Sequence, residues 1–267
     1  MTSEPLILAI DTSSTLGGVG LSRGDSAIAA MELGPAGSQA ETILVAIDAL
    51  LRDTNWQPGD LELVTVALGP GSFAGLRIGL AAAKGIGFAR GIPVVGVPTT
   101  TIRMAWARLV SESVGCGWVA VLDARRGDVF LARGRSAPHD AIDIEVISGP
   151  DLMPPSEVSS LLEPLRRAAT PGAPLVICGE GLPVIAAELI ESGASSPGGT
   201  GGLSDLRSVS PPRPPDAVRL LASLGWRQFG REGAPLLLEP LYIRSPDARK
   251  PARPVALPLP TAESNES

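Results

Sequence analysis

An apolar segment that stops on an aspartate, turns through short polar or small residues and returns as a second apolar segment occurs twice in this chain. Leu6–Ile10 runs into Asp11, passes Thr12, Ser13, Ser14 and Thr15, and returns through Val19–Leu21. Trp118–Leu122 runs into Asp123, passes Arg125, Arg126, Gly127 and Asp128, and returns through Val129–Arg133. Short apolar runs bounded by turn residues read as buried strands. Each copy is therefore a pair of strands, and the repetition implies that the chain is built from two similar halves.

The residues between the copies extend the pattern. Gly24-Asp25 is a hairpin turn leading to a third strand, Ala27–Leu33. Ser38-Gln39-Ala40-Glu41 has the form of a capping box. Behind it Ile43, Leu44, Ile47, Leu50 and Leu51 make an apolar stripe at helical spacing, and Asp48 can pair with Arg52 one turn on. Then come a strand at Leu63–Leu68, a glycine-rich turn, a second helix and a strand at Pro93–Val97. The order β-β-β-α-β-α-β is that of a ribonuclease H-like half-domain. In the second half Leu175–Cys178 reads as a strand ending in the turn Gly179-Glu180-Gly181, and Pro183–Ser192 and Asp216–Phe229 read as helices. The expected fold class is α/β and actin-like, the plan shared by sugar kinases, Hsp70 and actin. The first half-domain spans 1–100 and a smaller second one spans 101–245, with a mobile Gly/Ser-rich loop near 195–202. Residues 246–267 form a proline-rich tail expected to be disordered.

Composition excludes some functions. Hydrophobic residues make up 44% of the 267 residues and aromatic ones 3%, so a core must be built from Ala, Val, Leu and Ile. The net charge of −6 argues against strong polyanion binding by this chain alone, because nucleic-acid affinity rests on Lys and Arg neutralising phosphates. Cys116 and Cys178 form no CxxC pair and suit a reduced cytoplasm. Met1–Pro5 does not read as the start of a signal peptide, and Ile78–Ala89 is too short and too glycine-rich to span a bilayer.

The run Gly69–Gly79, GPGSFAGLRIG, carries the most chemistry. Its glycines and proline permit a sharp strand-to-helix turn, and Ser72 stands where a helix N-cap belongs. A turn of this kind frees backbone N–H groups at a helix start, a natural anion site. With the first Asp turn it gives a candidate anion site of Asp11, Thr12, Ser13, Gly71 and Ser72; the alternative is that these residues only bond their own turns. The second helix carries Gly75, Gly79, Ala83 and Gly87 at every fourth position, a ridge that another helix can approach closely. His139 is the single histidine. A Ser–His–acid triad on Ser72 therefore has little to stand on, and two imidazoles cannot share a metal. No catalytic residue and no metal ligand is assigned. The enzymatic alternative is an actin-like ATPase or small-molecule kinase using Asp11 and Asp123.

Several stretches together resemble the TsaB (YeaZ) family, the partner subunit in bacterial tRNA threonylcarbamoyladenosine synthesis. They are ILAIDTS at Ile7–Ser13, GPGSFAGLRIGLAAAKG at Gly69–Gly85, PVVGVPT at Pro93–Thr99, LDARRGDVF at Leu122–Phe130 and PLYIR at Pro240–Arg244. Ala74 stands where the family commonly has Thr, and Gln39 and Ala40 stand where a His often occurs. The resemblance implies a non-catalytic subunit that activates a TsaD-type threonylcarbamoyltransferase, with a TsaE-type ATPase in the assembly. It also implies that a second copy of the chain can take the partner's place, homodimer or monomer staying open for the free form, and that tRNA is contacted only through the complex. The catalytic relative holds a metal through HxxxH, and Thr99 and Arg103 fall where those histidines would be. By the same resemblance the partner surface lies on the first two helices, through Ile43, Leu44, Ile47, Leu51, Gly75, Leu76, Gly79 and Ala83. No cofactor is expected; a nucleotide at the partner interface stays open.

Overall fold

A computed structural model of the chain describes residues 4–35, 37–111, 117–137, 142–168, 174–191 and 206–243. Cys116, His139, the Gly/Ser-rich stretch 195–202 and the tail 246–267 lie outside the described residues.

Two five-stranded sheets repeat one topology. In the first, β1 (Leu6–Asp11), β2 (Leu16–Arg23) and β3 (Ser26–Pro35) run antiparallel, and β4 (Leu63–Ala67) and β5 (Val94–Val97) lie parallel to β1, in the order β3-β2-β1-β4-β5. In the second, β6 (Gly117–Asp123), β7 (Val129–Ser136) and β8 (Ile144–Met153) are antiparallel. There β9 (Leu175–Cys178) and β10 (Leu206–Val209) continue parallel to β6, in the order β10-β9-β6-β7-β8. This is the actin-like arrangement of two ribonuclease H-like halves that the repeated hairpins imply. Asp11 ends β1 opposite Gly18, and Asp123 ends β6 opposite Val129, so the two aspartates hold equivalent register positions.

Both faces of the central strands are covered, which is why their sequences are almost uniformly apolar. Leu6, Leu8 and Ile10 of β1 pack under α1 (Gln39–Asp53) and α2 (Phe73–Arg90), against Ile43, Ile47, Leu50 and Ala83. The alternate residues Ile7 and Ala9 point the other way, into a cluster with Ile102 and Ala105 of α3 (Thr99–Ser111) and Val218 and Leu221 of α6 (Pro214–Glu232). On the second sheet Trp118, Ala120 and Cys178 face Met104 and Ala107 of α3. Its opposite face, with Val119, Val121 and Ile177, is covered by α4 (Pro155–Ala168) and α5 (Leu182–Glu191) through Val158 and Ile185.

The last helix of each half is exchanged: α3 follows the first sheet and packs on the second, and α6 follows the second sheet and packs on the first. A division of the chain near residue 100 therefore separates the sheets but not the packing units. Two local details depart from the sequence reading. Ser38 does not cap α1 with its side chain; its hydroxyl donates to the Pro35 carbonyl at 3.0 Å. The Gly75–Gly79–Ala83 ridge of α2 faces the sheet and the Asp11 turn, not a second helix.

Candidate functional site

The repeated topology brings the ends of β1, β4, β6 and β9 to one cleft between the halves. Each strand ends there in a turn: Asp11–Thr15, Gly69–Ser72, Asp123–Asp128 and Gly179–Gly181. The cleft encloses a cavity of about 480 Å³ lined by residues of all of these turns, of α3 and of the C-terminal segment.

The first two turns lock together. Ser72 N donates to the Ser13 carbonyl at 2.7 Å, and the Thr12 hydroxyl donates to the Gly75 carbonyl at 2.7 Å. Ser72 caps α2 as its position implies, accepting from Gly75 N at 3.2 Å. A Cβ at Gly75 would overlap the Thr12 carbonyl oxygen, and one at Gly79 the Thr12 hydroxyl. The glycines of α2 thus serve close approach to β1 within the chain. The five residues proposed as an anion turn are brought together, but their donors are largely used internally: Ser13 donates its N–H and its hydroxyl to Asp11 Oδ1 at 2.9 and 2.6 Å. Asp123 likewise accepts from Arg125 N at 2.7 Å. Both strand-end aspartates bond their own turns.

The centre of the site is Arg103, a residue the sequence marks only by its position. It is 1% exposed. Its Nη2 and Nε donate to Glu180 Oε1 at 2.6 and 3.0 Å, and its Nη1 lies 3.6 Å from Asp11 Oδ2. One guanidinium on α3 therefore ties a carboxylate of the first half to a carboxylate of the second. Burial acts to lower the Arg103 pKa, but the charges of Glu180 and then Asp11 outweigh it and raise it above the usual value. Burial acts to raise the Glu180 carboxyl, and the Arg103 charge and hydrogen bonds overcome that and hold it below the usual range. Sequence reading passed over this cluster because its members are far apart in the chain. The duplication offers one signal: the Gly179-Glu180-Gly181 turn precedes α5 as the Gly69–Ser72 turn precedes α2.

The C-terminal segment closes the cleft from outside. Leu238 is buried in the core of the first half, Leu241 N donates to the Leu68 carbonyl at 2.8 Å, and Ile243 packs on the Leu122, Ala124 and Phe130 cluster of the second half. Tyr242 lies 5.0 Å from the Phe73 ring and accepts from Arg77 Nε at 2.8 Å, and the Arg77 guanidinium sits 3.9 Å over Phe73.

The expected partner surface is corrected by burial. Ile43, Ile47, Leu51, Gly75, Leu76, Gly79 and Ala83 all lie inside the chain's own core. Leu44 faces out at 60% exposure, beside Val45 at 66% on α1, and Phe88 on α2 is 92% exposed. Ala81 and Gly85, also exposed, continue this outer face along α2. No group of three or more His, Cys, Asp or Glu able to hold a metal occurs among the described residues. No described helix is long and apolar enough to cross a membrane.

Comparison with known proteins places these features. Residues 36–173 match the family model described as TsaD, tRNA N6-adenosine threonylcarbamoyltransferase. The chain is 35% identical over 124 residues to the tRNA threonylcarbamoyladenosine biosynthesis protein TsaB of Bacillus subtilis, covering 46% of this chain and 52% of that protein. It therefore spans about half the length of that curated relative. It is 30% identical over 245 residues to an uncharacterized protein of Mycobacterium tuberculosis, covering 91% of this chain and 93% of the other. Among solved structures it is similar to YeaZ from Pseudomonas aeruginosa, with a TM-score of 0.62 at 20% identity over 88% of this chain and 100% of that one. At that identity the likeness speaks for the fold.

Proposed function

The chain belongs to the TsaB (YeaZ) family, within the wider family that the TsaD model describes, and from that premise we propose that it is a non-catalytic partner subunit in tRNA threonylcarbamoyladenosine synthesis. It pairs with a TsaD-type threonylcarbamoyltransferase through the outer face of α1 and α2 and makes that subunit competent. A TsaE-type ATPase joins the assembly, tRNA is met through the complex, and the work is done in the cytoplasm.

The observation that carries this reading is the outer apolar face formed by Leu44, Val45, Ala81, Gly85 and Phe88. Exposed large apolar side chains mark interaction sites when they gather on one surface, and these lie on helices whose inner faces are already filled by their own sheet. The absence of chemistry in this chain is supported by the cleft. Asp11 and Asp123 are engaged by their turns, and Arg103 is ion-paired with both Asp11 and Glu180. These are poor circumstances for the ATPase or kinase alternative, which needs those carboxylates free to hold a hydrated metal.

Light scattering on this chain, on the TsaD-type protein from the same organism and on their mixture tests the reading. A complex of one copy of each is expected. Two separate species, with and without ATP and the TsaE-type protein, would refute it. The free chain is expected to pair with a second copy through the same face, and a mixture should then replace the homodimer. A nucleotide held between the two subunits would appear as a complex that tightens on adding ATP.

A further inference from the structure

The cavity between the halves gathers a residue type that this chain barely uses. The sequence holds four Phe, four Trp and one Tyr, and two of the Phe and the Tyr line this cavity. They come from separate parts of the fold: Phe73 opens α2, Phe130 lies on β7 (Val129–Ser136), and Tyr242 belongs to the C-terminal segment. Leu76, Leu122 and Ile243 complete an apolar wall. Small-molecule sites are lined mainly by apolar and aromatic side chains with a few placed polar groups, and the volume of about 480 Å³ falls in their range. Rings drawn to one place from a chain so poor in them fit a ligand that is itself flat and aromatic.

The charged residues of the lining are all engaged within the protein. Arg103 holds Glu180 and faces Asp11, Asp123 lies 3.4 Å from Arg125 Nη1, and Arg126 has interactions of its own. A charged ligand would have to break one of these contacts; an uncharged one leaves them intact. Most hydroxyls of the lining are engaged too. Ser13 donates to Asp11, Ser14 donates to the Leu16 carbonyl at 2.6 Å, Thr15 accepts from Arg125 Nη2 at 3.3 Å, and Tyr242 accepts from Arg77. Thr99 differs: it is 2% exposed, and its Oγ1 has no hydrogen-bond partner among the described residues. Its backbone is fixed at the start of α3, where its N–H donates to the Gly69 carbonyl at 2.7 Å. A buried polar group without a partner calls for an explanation, and a hydroxyl can serve a ligand as donor or acceptor.

We propose that this cavity binds a small uncharged aromatic molecule, its rings against Phe73, Phe130 and Tyr242 and one polar atom on Thr99 Oγ1. The site stands independently of the partner reading, which concerns the exposed residues of α1 and α2.

The probe for the test is 6-propionyl-2-(dimethylamino)naphthalene, an uncharged dye with an aromatic body and a single carbonyl. Fluorescence titration of the full chain is expected to show one saturable site with blue-shifted emission. Naphthalene-2-carboxamide should displace the dye. Naphthalene-2-carboxylate has the same shape and a negative charge that finds no spare partner, so it should compete at least about tenfold less well. Thr99→Val removes the hydroxyl without removing bulk and should weaken the dye about fivefold, whereas Thr99→Ser keeps the hydroxyl and should bind it like wild type. Tyr242→Ala takes away a ring on the exposed C-terminal segment and should weaken the dye as well. Equal affinity of the dye for wild type and Thr99→Val would overturn the proposal. So would displacement by the carboxylate, or by the magnesium–ATP complex, as readily as by the carboxamide. Loss of the dye site in Phe88→Ser would place it on the outer helices and overturn the proposal equally.

Discussion

Replacing Arg103 by Met removes a buried cation that joins the two halves, and the structure sets the size of the effect. Asp11, 3% exposed, loses a charge partner at 3.6 Å, and Glu180 loses two close hydrogen bonds. Breaking a buried ion pair from one side costs about 3–5 kcal/mol because the other charge is left unpaired. The Glu180 side chain is 30% exposed and can turn partly to water, which argues for the lower part of that range, about 3 kcal/mol. In a chain of this size that lowers the melting temperature by roughly 6–12 °C. The pH dependence separates electrostatics from lost packing. In the wild type Glu180 lies below its unfolded value, so its contribution is full above the unfolded carboxyl pKa and is lost as pH falls through the folded one. In Arg103→Met the Glu180 carboxylate is left without its cation, so its folded pKa rises above the unfolded one. The stability tied to it is then present at low pH and lost as pH rises. The deficit of the variant, measured by urea unfolding followed by circular dichroism, should therefore be largest near neutral pH and shrink toward pH 4. Adding Asp11→Asn and Glu180→Gln to Arg103→Met should recover much of it. A deficit below about 1 kcal/mol, the size of a surface ion pair, or one that does not change with pH, would refute the argument.

Other outcomes follow from the same geometry. Leu44→Glu and Phe88→Glu should melt within a few degrees of wild type yet weaken pairing with a TsaD-type subunit about tenfold or more, read by titration calorimetry, since each buries an unpaired charge only in the complex. Ile47→Glu and Ala83→Glu, which bury the charge inside the chain itself, should instead unfold it, visible as lost circular dichroism at 25 °C. Gly79→Ala should cost about 1–3 kcal/mol by overpacking against Thr12, whereas Gly85→Ala, with open space around it, should gain about 0.5–1 kcal/mol in a denaturant melt. Burial pushes the Cys178 thiol up to about 12, so in a Cys116→Ser background it should stay unreacted with a disulfide reagent at pH 8 until the chain is unfolded.

Much of the fold is written locally. Leu6–Asp11 and Gly117–Asp123 announce themselves because parallel central strands are apolar on both faces, and Ser72 caps α2 because only the adjacent backbone is involved. Helix α3 is less legible: Thr99, Thr100 and Thr101 are β-branched and poor helix formers, and the helix holds because it is packed between two sheets. Strand β8, interrupted by Gly149 and Pro150, gave no apolar run to read. The orientation of α2 was misjudged for a physical reason. A ridge of Gly75, Gly79 and Ala83 admits any close neighbour, and periodicity does not say whether that neighbour is a helix or the end of β1. In the site, both aspartates were legible from their strand-end positions, but the Arg103–Glu180 pairing spans 77 residues and depends on the exchange of α3 onto the second sheet. Nothing in the sequence around Arg103 marks it as buried.

The central claim is that the exposed face of α1 and α2 is where this chain meets its catalytic partner. Size-exclusion chromatography with light scattering on the TsaD-type protein mixed with wild type and with Phe88→Glu tests it most directly. A one-to-one complex with wild type, and two separate species with a folded Phe88→Glu, is the result expected. A complex of unchanged mass and affinity with the variant would contradict it.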